Sequence, residues 1–151
     1  MKNKKLKIVL SVFIAVIVIA SAMVGIYHGI YISKANAVSE KIKVNNCTDI
    51  TFTTVSGKKK LPINLKNRVY DLMLNSFEKY EPTQEQIDNR PMYYGYSILG
   101  IGDADFTFFD NIEIDGKNYA IYHLTSGSSS DAYYIIEQAT EVEYTNIFHE
   151  L

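Results

Sequence analysis

FTFFDNIEIDGKNYAIYHLT, residues 106–125, is two strand-like runs around Asp115-Gly116. Asp-Gly between alternating apolar residues is a strong signal for a two-residue β-hairpin, because both loop positions need positive φ. With these as the loop, Ile114 opposes Lys117, Ile112 opposes Tyr119, Asp110 opposes Ile121 and Phe108 opposes His123. Phe106, Phe108, Ile112, Ile114, Tyr119 and Ile121 then share a face, expected to be the core face. Asp110 and His123 fall on the same face as diagonal neighbours. A carboxylate beside an imidazole is the pairing that general-base catalysis uses. Ser126, Ser128, Ser129 and Ser130 follow closely, so a hydrolase using Asp110 and His123 is one reading. No Gly-x-Ser-x-Gly elbow accompanies them. A structural role, with a bulge turning Asp110 outward or Asp110 satisfying His123 at the sheet end, is the expectation.

Outward from the hairpin, the strand pattern continues. Tyr93–Ile101 and Ala132–Gln138 are candidate strands, and 126–130 reads as a loop. Upstream, 43–55 is rich in Thr, Ile, Val and Phe, with Ile50, Phe52 and Thr54 on one face. Ser56-Gly57-Lys58-Lys59-Lys60 reads as a solvated, lysine-bearing loop. Asn64–Tyr80 has helical spacing: Leu65, Val69, Leu72, Met73, Ser76 and Tyr80 recur on one face, Phe77 borders it, Asn64 is the candidate N-cap and Pro82 closes the far end. Thr83 and Gln86 have capping-box spacing for a further short turn, and Asn89-Arg90-Pro91 breaks it. Residues 140–151 fit either a helix capped by Thr140 and Glu143 or a final edge strand. One main helix packed on an antiparallel sheet is an α+β domain.

The N-terminus is a different material. Four lysines lie in residues 1–7, and Ile8–Ile32 holds no full charge over 25 residues. About 20 helical residues cross the roughly 30 Å hydrocarbon core. Residues 8–32 therefore read as a transmembrane helix, with Tyr27 and Tyr31 near one interface and the lysine tip 1–7 cytoplasmic. Residues 33–41 read as a polar linker and 42–151 as an extracytoplasmic domain. The alternative is a long signal peptide cut after Ala37, at Ala35-Asn36-Ala37, which releases a secreted domain. Ser21 and Gly25 have small-xxx-small spacing, and Ala22 lies beside them.

Charge narrows the function classes. Residues 1–37 carry five bases and no acid, while 38–151 carry ten bases and all seventeen acids, a net of −7. So acidic a domain is a poor ligand for nucleic acid and does not lie flat on anionic lipid. The lone Cys47 forms no internal disulfide and reads as a small, half-buried strand residue. Asn46-Cys47-Thr48 matches a glycosylation sequon. Asp103, Asp105 and Asp110 lack the glycine turn and terminal Glu of a calcium loop, and His28, His123 and His149 lack ligand spacing, so no metal or cofactor is expected. Twelve tyrosines and no tryptophan, with Tyr93, Tyr94, Tyr96, Tyr119, Tyr122, Tyr133 and Tyr134 on proposed strands, suit either strand propensity or a contact surface.

The order strand, helix, Pro82-Thr83, strands and the late Tyr133-Tyr134-Ile135-Ile136-Glu137-Gln138 resembles small extracytoplasmic domains of unknown function in low-GC Gram-positive bacteria, carried behind a lipobox or one apolar span. The likeness covers about residues 45–140. It implies a fold and an address but no activity. The function expected is a membrane-anchored binding or interaction module for a protein, peptide or cell-wall ligand; the alternative is an accessory or sensor subunit of a membrane complex.

Overall fold

The computed structural model describes residues 2–54, 57–89, 98–126 and 131–149, without the side chains of 2–5, 98, 126, 143–145 and 147–149. The chain divides into two units, Met1–Ser33 and Lys34–Leu151. Helix α1 (Lys2–Ile42) is 41 residues long. Among the described residues, one helix, Leu6–Ile42 near the N-terminus, is long and apolar enough to cross a membrane. At 1.5 Å per residue α1 rises about 60 Å, twice the hydrocarbon thickness.

The linker expected over 33–41 is helix, and the domain begins at Lys34 rather than residue 42. Ala35, Val38 and Ile42 are 1%, 0% and 3% exposed. They stand at i, i+3 and i+7, so one helical face is apolar although the composition between them is polar. Lys34 Nζ meets Asp71 at 2.6 Å, and Lys41 Nζ donates to the carbonyls of Met73 and Leu74 at 2.6 and 3.0 Å. The second bond satisfies carbonyls that the next helix leaves open at its C-terminus.

The rest of unit 34–151 is α+β. Strands β1 (Ile50–Thr54) and β2 (Gly57–Lys60) precede α2 (Ile63–Ser76), β3 (Glu78–Tyr80) and α3 (Gln84–Asp88). Then come β4 (Ile98–Ile101), β5 (Ala104–Ile114), β6 (Lys117–Ser126), β7 (Ala132–Glu137) and α4 (Gln138–His149). One seven-stranded antiparallel sheet has the order β2-β1-β4-β5-β6-β7-β3. The three lysines form edge strand β2, not a loop, and are all exposed. Lysine on an edge discourages further strand pairing, so the charge survives the change of element. The expected helix 64–80 stops at Ser76; Phe77 is extended (φ −83°, ψ 125°), and Pro62 rather than Asn64 is the N-cap. Phe77 leaves the helix to enter the core, edge-on to Phe106 (5.9 Å between centroids) and 5.7 Å from Tyr122. Tyr80 is thereby a strand residue. The Thr83/Gln86 capping box forms with both bonds present. Residues 138–149 are helical.

The main core lies on one sheet face. Phe52, Leu99, Phe106, Tyr122, Leu124, Tyr134 and Ile136 share it, and α4 packs against β6 and β7. Tyr134 donates to the Lys41 carbonyl at 3.5 Å, and Tyr122 to Glu141 of α4 at 2.7 Å. On the other face a smaller cluster of Phe109, Ile121 and Ile135 is flanked by Tyr80, Ile112, Ile114, Tyr119 and Tyr133.

Candidate functional site

The hairpin forms as read near its turn: Asp115 and Gly116 have φ of 50° and 77°, and Ile114↔Lys117, Ile112↔Tyr119 and Asp110↔Ile121 all pair. Beyond Asp110 the register shifts. His123 pairs with Thr107 and Phe108 with Tyr122, because Phe109 is an extra residue in β5. A bulge puts two residues opposite one. Phe109 takes the buried place on the face of Ile121, and Asp110 Oδ1 accepts from the Asn111 amide at 2.8 Å. Phe106 and Phe108 consequently face the helices, opposite Ile112 and Ile114, which divides the single apolar face read from the sequence.

The carboxylate nearest His123 is Asp131, with Oδ1 3.5 Å from Nε2, an ion-pair distance longer than a hydrogen bond. The imidazole stacks on Tyr133 (4.5 Å, 11°) and meets the edge of Phe109 at 6.3 Å. Such stacking holds a ring in place through packing. Ser128, Ser129 and Ser130, and Tyr93, Tyr94 and Tyr96, lie outside the described residues. Among the described residues no group of three or more His, Cys, Asp or Glu side chains could hold a metal ion.

A second feature had no counterpart in the sequence reading. A cleft of about 320 Å³ opens between α2 and α4, lined by Arg68, Asp71, Leu72, Asn75, Ser76 and Thr140. Five of these recur on α2 at i, i+3, i+4, i+7 and i+8, a single helical face. Leu72 and Ser76, read as core positions, are half-buried at its wall. Lys34 reaches both Asp71 oxygens, at 2.6 and 2.7 Å. That bond offsets the Asp71 carboxylate. The periodicity of this α2 face was legible; that Thr140 of α4 would wall it was not.

Cys47 is buried in the turn before β1, not on a strand, and its Sγ donates to the Val44 carbonyl at 3.4 Å. Burial pushes its thiol above the ordinary value of 9.0, which disfavours the nucleophilic thiolate. Tyr70 donates to the Cys47 carbonyl from α2, locking this turn to the helix. Comparison with protein-family models, curated proteins and solved structures finds no match to the chain, so the reading of its sites rests on their own geometry.

Proposed function

We propose that the protein is a single-pass membrane protein whose extracytoplasmic domain is a binding or interaction module, held at the bilayer by an uncleaved N-terminus. The observation that carries this is the burial of Ala35, Val38 and Ile42. The residues that a peptidase would need in an accessible, extended segment are helical and part of the domain. Removal of residues 1–37 takes away Lys34 and Ala35, with the bond to Asp71. The four lysines before Ile8 favour an inside N-terminus and an outside domain.

A binding role is favoured over hydrolysis by the bulge at Phe109 and by the aromatic packing of His123. The partner is a protein, peptide or wall polymer. Protease added to intact spheroplasts should digest residues 34–151; a domain protected there overturns the topology. Crosslinking in native membranes followed by solubilisation should recover the chain joined to a stoichiometric partner. Ester or amide turnover lost in a folded His123→Ala chain would overturn the binding reading.

A further inference from the structure

We propose that the outer edge of β2 takes up an acidic, extended segment of a partner protein as an added strand, a site that rests on the reading of the domain as a binding module. β2 ends the sheet, and among the described residues no strand pairs with its outer edge. The register fixes what that edge offers. The Leu61 amide donates to the Ile50 carbonyl at 3.0 Å, and Phe52 pairs with Lys59 and Thr54 with Gly57. Antiparallel ladders alternate, so Gly57, Lys59 and Leu61 turn their backbone groups toward β1, while Lys58 and Lys60 turn theirs away. On the other side of β1 the Gly102 amide donates to the Asp49 carbonyl at 2.8 Å, which sets Thr51 and Thr53 toward β4 and agrees with this phase. The N–H and C=O groups of Lys58 and Lys60 thus point outward in strand geometry, the donors and acceptors that strand addition uses.

Charge selects the occupant. Gly57, Lys58, Lys59 and Lys60 are all exposed. Residues 43–61 carry four lysines and one aspartate, a net of +3, in a domain of −7. Lys58 and Lys60 share one face of β2, and Lys59 takes the other. Lys60 lies 3.2 Å from Asp49, but both side chains are at least half exposed, so water screens the pair and a second carboxylate can share the lysine. β2 of a second copy would set lysine against lysine, which repels; acidic side chains in the same places attract. The edge therefore rejects indiscriminate pairing and admits one chemistry. A peptide uses the outward amides as well as the charge, whereas an anionic wall polymer uses the charge alone.

The test adds blocked peptides of about six residues to the full chain in detergent and follows amide hydrogen exchange residue by residue. An alternating glutamate–valine peptide should slow exchange at Lys58 and Lys60 and leave Lys59, already paired to β1, unchanged. The same peptide with N-methylated amides keeps the charge and cannot pair, so it should protect neither. Lys58→Gln combined with Lys60→Gln should weaken the glutamate–valine peptide about two- to thirtyfold, the worth of two cross-strand charge pairs. Lys58→Pro should abolish the protection at Lys60 with melting unchanged, since the amide it removes faces outward. No slowing at Lys58 and Lys60 with millimolar glutamate–valine peptide overturns the edge site, and equal protection by a lysine–valine peptide overturns its acidic preference. Slowing on raising the chain concentration alone assigns the edge to a second copy. Polyglycerol phosphate bound more tightly than the peptide, and lost with the two glutamine substitutions, assigns the lysines to a wall polymer. Either result overturns the partner strand. A stoichiometric partner still crosslinked to Lys58→Pro in native membranes refutes this edge and leaves the module reading standing.

Discussion

Starting the chain at Val38 instead of Lys34 should destabilise the domain severely. The loss has two parts. Ala35 is 1% exposed, and its buried methyl contributes about 0.8 kcal/mol. The Lys34–Asp71 pair adds at most about 1 kcal/mol, discounted because Asp71 is half exposed. The larger part is indirect. Residues 38–42 are left as barely more than one helical turn, too short to hold itself together. Val38 and Ile42 are fully buried, each worth about 1.5–3 kcal/mol as an upper bound. Fraying therefore adds about 3–6 kcal/mol, against a total of about 5–15 kcal/mol for a typical domain. Urea unfolding followed by far-UV circular dichroism reads this directly. With a slope of about 1–3 kcal/mol per molar, the midpoint of the Val38 chain should fall by about 1 M or more. Midpoints within about 0.2 M of each other would refute the claim that the end of α1 belongs to the core.

The remaining predictions concern the hairpin and the buried thiol. A double-mutant cycle of Asp110→Ala and His123→Ala should give a coupling below about 0.5 kcal/mol, since the bulge separates them; about 1 kcal/mol or more would restore the catalytic-pair reading. His123→Ala alone should cost about 1–3 kcal/mol through the lost stack on Tyr133, measured by the same urea titration. Gly116→Val should cost about 1–3 kcal/mol because φ of 77° is strained for a β-branched residue, and a chain with unchanged melting would contradict the turn. Cys47 should react slowly with an aromatic disulfide in the native state. Its folded value is raised, so its stabilising contribution is whole below the ordinary value of 9.0 and is lost as pH rises through the folded value; a wild-type melting curve should decline more steeply there than that of Cys47→Ala.

What the sequence discloses follows from how local each signal is. The Asp115-Gly116 turn and the Thr83/Gln86 capping box are set by residues within a few positions, and both form as read. The bulge is a phase change inside an apolar run. In Phe106-Thr107-Phe108-Phe109-Asp110, alternation places Phe108 with Ile112, and only the adjacent Phe109 hints that the phase slips. Helix α2 ends four residues early because Phe77 gains more in the core than a further helical turn offers, and burial by distant strands decides that. The polar look of Ser33–Lys41 hides the first two residues of a buried face, Ala35 and Val38, which Ile42 completes, and the α2 groups that Lys34 and Lys41 reach lie more than thirty residues later. The cleft walled by Arg68, Asp71 and Thr140 joins helices about seventy residues apart, a distance no local pattern spans.

The central claim is that the apolar N-terminus is retained as part of the folded protein. Intact-mass measurement of the chain isolated separately from native membranes and from the medium tests it most directly. A chain that still carries the apolar run Ile8–Ile32 in the membrane fraction, with none in the medium, is the predicted result; a species beginning at Val38, folded and released, would contradict it.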